Sequence, residues 1–275
     1  DFGTPPVRCA RNPESPMSRR ILLPLALAAL VAAAPAFAQK PGASPRQGAP
    51  QAAPMAPIRY HAVLAAGDAS LPVWDNAVQR FLAGLQSAGT IAGTPQRLSA
   101  GGKQAGVPLA STENVLRTVA NLRPGQGEGC LVFATSHGAP RAGLVMTPSP
   151  EQPLSPAALY AALSRGGCAA APTIVVVSGC YSGDFATVLA RPNRIVIAAA
   201  RNDRPSFGCG AGFRYTVFDE CLLDALDQRA TLWTQTLAAT RACVTRRERE
   251  LNANPSEPQV SVGAQVAGLR TPTSR

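Results

Sequence analysis

Histidine and lysine are scarce in this chain of 275 residues, with two of each: His61, His137, Lys40 and Lys103. With so few His, and with no Cys or His pair at ligand spacing, the expectation is no metal and no cofactor. Aromatic residues make up only 5% of the chain, and its Arg residues are scattered. That excludes a stacking platform for nucleic acid, so the expectation is no nucleic-acid partner. The run Arg246-Arg247-Glu248-Arg249-Glu250 alternates in sign, as a solvated helix face does. The formal net charge of +10 rests almost entirely on Arg in an Ala-, Gly- and Pro-rich chain. It reads as a coding bias rather than as function. A Gly-x-Ser-x-Gly elbow is missing around Ser182, where Cys180 and Asp184 occupy the glycine positions. What is present is 46% hydrophobic residues, enough to build the core of an α/β domain at this length.

The longest apolar stretch, Ile21 to Ala34, has 14 residues and falls short of the roughly 20 that span a bilayer. It follows Met17-Ser18-Arg19-Arg20 and precedes Ala36-Phe37-Ala38, small residues where a signal peptidase reads. Residues 17–38 are therefore expected to be a signal peptide cleaved before Gln39. The route is Sec or twin-arginine, because Ser18-Arg19-Arg20-Ile21-Leu22 resembles the latter signal. The expected location is periplasmic or secreted, with no stable membrane insertion once the signal is removed. Residues 1–16 read as an over-extended start. Removing residues 1–38 takes away four Arg and two acids, which leaves +8 and six Cys. Residues 39–57 are rich in Pro, Ala, Gln and Gly and read as a tether. One domain is expected over 58–269, with a tail at 270–275.

Apolar runs at 58–66, 94–99, 130–135, 173–177 and 195–198 predict strands. Helical spacing predicts helices over 74–87, 114–122, 155–163, 184–189, 218–226 and 232–250. A small hairpin is expected around Leu144-Val145-Met146. Strands alternating with helices imply an α/β, doubly wound, mostly parallel sheet flanked by helices.

Two chemistry-bearing residues fall just past buried strands: His137, followed by Gly138, and Cys180, between Gly179 and Tyr181-Ser182-Gly183. Ligands bind outside the carboxyl ends of strands in open α/β sheets, so neighbouring strands would bring His137 and Cys180 together. An imidazole there serves a thiol as base and then as acid. The helix after Cys180 is expected to lower its pKa. The N–H groups of Gly138 and Cys180 are expected to form an oxyanion hole. His61 lies inside a strand and reads as structural.

The segment Leu131-Val132-Phe133-Ala134-Thr135-Ser136-His137-Gly138 and, about 40 residues on, Ile174-Val175-Val176-Val177-Ser178-Gly179-Cys180-Tyr181-Ser182-Gly183 resemble the His-Gly and Cys motifs of the legumain family of cysteine peptidases. The likeness extends over about 58–267 through Ala198-Ala199-Ala200-Arg201, Ser206-Phe207-Gly208-Cys209 and Pro255-Ser256-Glu257-Pro258-Gln259. It implies the caspase-haemoglobinase-like fold, Cys180 as nucleophile and His137 as general base and acid. It also implies Ser178, Ser206 and Phe207 beside the substrate pocket. Trp74-Asp75-Asn76 resembles the family's Trp-Tyr-Asn segment, which makes Asn76 the residue expected to orient the imidazole. Val78 and Gln79 stand where the family has Arg and His, and Ser178 stands where it has an acid. The resemblance thus carries the catalytic pair and not the asparagine pocket.

Export permits disulfides among Cys130, Cys168, Cys209, Cys221 and Cys243, two bridges and one leftover thiol, with connectivity open. The expected function is an exported cysteine endopeptidase acting on a peptide or protein. The rivals are a transamidase or ligase with the same pair, and a catalytically silent peptide-binding module. Oligomeric state is not legible in the sequence.

Overall fold

The apolar runs pair into a single sheet in the computed structural model, which describes residues 53–102, 106–228 and 232–272. The expected leader, the signal segment and most of the tether lie outside the described residues. In chain order the elements are β1 (Arg59–Ala66), α1 (Val73–Ser87), β2 (Gln96–Ser99), α2 (Thr112–Ala120), β3 (Glu128–Thr135), β4 (Gly138–Ala139), β5 (Gly143–Leu144), α3 (Pro156–Arg165), β6 (Thr173–Ser178), α4 (Gly183–Val188), β7 (Arg194–Ala198), α5 (Val217–Asp227), α6 (Trp233–Glu250) and β8 (Gln259–Val262). The large sheet runs β2-β1-β3-β6-β7-β8. Its neighbours are parallel except for β8, which lies antiparallel on β7 at the edge.

Strand side chains alternate between two cores, as the period-2 pleat requires. Leu64, Leu131, Phe133, Val176 and Ile197 pack with Trp74 and Phe81 of α1, Phe218 of α5 and Trp233 of α6. Val63, Val132, Ala134, Val177 and Val196 face the other way, onto Val115 of α2, Leu159 of α3 and Phe185 of α4. Helices on both faces explain why β3 and β6 are apolar without interruption: neither face meets water. The doubly wound sheet expected from the sequence is the one observed.

Helix starts follow their capping residues. Ser111, Ser155 and Thr216 accept hydrogen bonds from the backbone N–H three residues on, and Pro156 sits at the first position of α3, where a missing N–H costs nothing. Three features differ from the sequence reading. The strand over Gln259–Val262 was not expected; it is short, half-exposed and lacks an apolar run. The small hairpin pairs Gly138–Ala139 with Gly143–Leu144, so it begins directly after His137. Ordered structure also precedes Ile58: the Met55 N–H donates to the Gly268 carbonyl at 2.7 Å.

Two disulfides lock the halves of the fold. Cys130–Cys168 joins the start of β3 to the turn before β6, and Cys221–Cys243 joins α5 to α6. They close loops of 38 and 22 residues, each worth about 3–4 kcal/mol in unfolded-state entropy. Cys209 is disulfide-bonded as well. The expected leftover thiol is therefore not among these five, and Cys180 is the free cysteine of the described residues.

Candidate active site

The site is set by register. Thr135 of β3 pairs with Ser178 of β6, and two residues beyond each lie His137 and Cys180. The Ser136 N–H donates to the Ser178 carbonyl at 3.0 Å, so the ladder continues one step past the strands. On the other side of β3, Ala66 pairs with Thr135 and the Gly67 N–H donates to the Thr135 carbonyl. The carboxyl ends of β1, β3 and β6 thus bring Asp68, His137 and Cys180 together. The chain runs outward in both directions from β1, so these ends border the topological switch point where ligands enter such sheets.

Gly138 is required by contact rather than by backbone angle. A Cβ at this position would lie 1.8 Å from the Cys180 carbonyl oxygen. The two segments therefore touch backbone to backbone, which brings the Gly138 N–H toward the sulfur. The Cys180 thiol feels the backbone N–H groups of Ser206, Gly138 and Cys180 itself. The Ser206 N–H donates to Sγ at 3.2 Å. The residue after Cys180, Tyr181, has φ of 56°, the left-handed region that L-residues rarely occupy. Its N–H bond to the Arg204 carbonyl at 2.8 Å holds that turn, and the Ser182 hydroxyl bridges the Gly179 carbonyl and the Ala200 N–H.

Burial, not the helix, governs the thiol. Cys180 is 8% exposed, and desolvation pushes its pKa up against the backbone N–H groups that pull it down. The expectation of a lowered pKa is therefore corrected. Helix α4 has six residues and starts three residues beyond Cys180, while the influence of a helix terminus fades within its first turn. His137 is half-buried, and burial lowers its pKa, with the Asp68 charge acting in the opposite direction. Each shift favours the neutral form, the thiol at Cys180 and the imidazole at His137.

His137 is held by packing. Its ring meets Trp74 edge-on, with centroids 4.7 Å apart, and its carbonyl accepts from the Val145 N–H at 2.8 Å. Asn76 does not reach it: the Asn76 amide donates to the Arg214 carbonyl at 3.0 Å. Two positions along a helix point to different faces, and Trp74 has taken the face toward the imidazole. The charged residue acting on His137 is Asp68. Nothing in its spacing tied it to His137; the pairing of β1 with β3 does. We expect Asp68→Asn to shift the acid limb of the kcat/KM profile to lower pH. An imidazolium at His137, as the mechanism proposed below requires, also loses its carboxylate, which lowers the plateau on the order of tenfold. A pH–rate profile checks both.

Of the three residues expected at the substrate pocket, Ser206 meets Cys180 through its backbone, accepting from Sγ as well as donating to it. Phe207 is buried in the core. Ser178 is buried, and its side chain faces Asp219 and lowers that acid's pKa. This acid, fully buried near the start of α5, accepts from the Thr135 hydroxyl at 2.8 Å. One carboxyl therefore lies against the last residues of both β3 and β6, two positions before His137 and Cys180. Asp219 comes from another element, so no local motif shows it. Burial raises Asp219 to about 6, so the folded state binds its proton more tightly than the unfolded chain. Its ionisation costs stability progressively as pH rises from about 4 to 6. Asp219→Asn should therefore gain up to about 3 kcal/mol at pH 7.5, a gain that vanishes below pH 4. Urea unfolding at the two pH values measures it.

Comparison with known proteins adds to this geometry. A family model described as the Peptidase C13 family matches residues 110–257, a span that includes both His137 and Cys180. No curated protein matches the chain. Among solved structures, caspase-1 from Spodoptera frugiperda is similar over 79% of this chain and 94% of its own, with a TM-score of 0.52 and 12% identity. At that identity the likeness concerns the fold alone.

Proposed function

The chain belongs to the peptidase C13 family and is a cysteine-type peptidase, and from that premise we propose that it is an exported endopeptidase acting through Cys180 and His137. The observation that carries this reading is the closure of Gly138 on Cys180, which gathers thiol, imidazole-bearing segment and two backbone donors at adjacent strand ends.

The chemistry starts from the neutral thiol and the neutral imidazole. As Sγ attacks the scissile carbonyl carbon, the thiol proton passes to the His137 imidazole, so no free thiolate has to be stored in a buried site. The carbonyl oxygen takes up negative charge and is stabilised by the N–H groups of Gly138 and Cys180. Collapse of the tetrahedral intermediate breaks the C–N bond, and the imidazolium protonates the departing amine. A thioester on Cys180 remains. Water, deprotonated by His137, hydrolyses it and regenerates the thiol. Asp68 stabilises the imidazolium in both halves of the cycle.

Export is supported by the signal-like segment 17–38 and by the disulfides, which persist in oxidising compartments. N-terminal sequencing of the exported protein should start at Gln39. The substrate test is a peptide library, with products identified by mass in the presence and absence of an added amine. New carboxyl termini support the endopeptidase. Amide adducts in place of acids would make the enzyme a transamidase, and an unprocessed library would overturn both.

A further inference from the structure

At the end of the sheet opposite Cys180, β7 begins with a buried cation. Arg194 is 1% exposed, although Arg is almost never fully buried without a partner. Its Nε has no hydrogen-bond partner, and its Nη1 reaches only the Leu189 carbonyl, at 3.4 Å. A second cation, Arg191, lies close by. The two guanidinium carbons sit 5.0 Å (Arg191) and 5.5 Å (Arg194) from the centre of the Tyr160 ring. Neither Arg is in an ion pair among the described residues. Burial and the charge of Arg191 together lower Arg194 to about 10. The aromatic ring offsets part of this cost, but an uncompensated buried charge is expensive, and a like charge beside it adds to the cost.

Both arginines line a cleft of about 600 Å³ together with Ser164, Asn193 and Gln265, and no acidic residue lines it. Its frame is fixed by hydrogen bonds. The Asn193 amide donates to the Ala169 and Ala171 carbonyls, the Gln265 N–H to the Pro192 carbonyl, and the Gly263 N–H to the Arg194 carbonyl. We propose that this cleft binds a small oxyanion, a phosphate or carboxylate group, between Arg191 and Arg194. Planar guanidinium forks match such groups two bonds at a time, and the Ser164 hydroxyl and Gln265 amide add neutral donors. The bound anion supplies the counter-charge that the fold itself leaves out.

Thermal unfolding of the full chain tests this without reference to peptidase activity. Inorganic phosphate, titrated against chloride at matched ionic strength, should raise Tm along a saturable curve. Arg191→Gln, at an exposed position, should weaken the apparent affinity at least about tenfold. Arg194→Met should abolish the response and, with the unpaired charge gone, unfold no lower than wild type in chloride. A parallel titration with acetate identifies the group: a response to both anions assigns a carboxylate-accepting site, a response to phosphate alone a phosphate site. The proposal fails if neither anion raises Tm beyond the chloride effect, or if Arg191→Gln responds like wild type. That second criterion stands even if Arg194→Met does not fold.

Discussion

Cys180→Ala and His137→Ala are each expected to lower kcat by about four to six orders of magnitude, the scale seen when one member of a nucleophile–base unit is removed. Without Sγ there is no acyl-enzyme. Without the imidazole the thiol keeps its proton, because burial has already pushed its pKa up. The two losses should not add: the double variant should be about as slow as either single one, since each alone disables the same step. Circular dichroism should be unchanged, because both residues lie past the ends of β3 and β6 and make none of the ladder pairs. Turnover within about tenfold of wild type in either variant would remove the pair from the mechanism. Alkylation of wild-type Cys180 by iodoacetamide adds an independent check. A thiol with a raised pKa reacts slowly at neutral pH and faster as pH rises, so slow labelling at pH 7 is expected of this enzyme and is no sign of an inert site.

Gly138→Ala should cost at least about 100-fold in kcat/KM, although the side chain added is a single methyl. Every atom that this Cβ would meet first belongs to the Cys180 backbone: the carbonyl oxygen at 1.8 Å, its carbon at 2.7 Å and the amide nitrogen at 2.9 Å. No rotamer relieves such a clash, so the segments that carry His137 and Cys180 must move apart. That movement displaces the Gly138 N–H from the position where the oxyanion forms and lengthens the proton path from thiol to imidazole. Gly210→Ala is the control, because nothing lies within 4 Å of its added Cβ, and it should retain wild-type kinetics. Near-normal kcat/KM in Gly138→Ala would show that the strand-end contact is not needed for catalysis.

The strands were legible because their physics is local. Val132 and Val175 sit in continuous apolar runs that only a strand covered on both faces accommodates, and both are fully buried. The edge strand at Gln259 was not legible, since it borrows its stability from β7 rather than from its own composition. His137 and Cys180 could be singled out because each follows such a run and is flanked by glycine. Asn76 shows where local reasoning stops. Its neighbours resemble a catalytic segment, yet its amide is engaged by Arg214, 138 residues further along the chain.

The sequence by itself determined the alternation of strands and helices, the mostly parallel sheet, and the placement of His137 and Cys180 just past two buried strands, because periodicity and chain order are properties of short segments. Only the tertiary structure decided what surrounds those residues. The register of β1 on β3 brings Asp68 toward the imidazole. The packing of α5 places Asp219 behind both strand ends, and burial favours the neutral thiol at Cys180 and the neutral imidazole at His137. Burial and long-range charge depend on which segments meet, and this chain settles that only when its sheet closes.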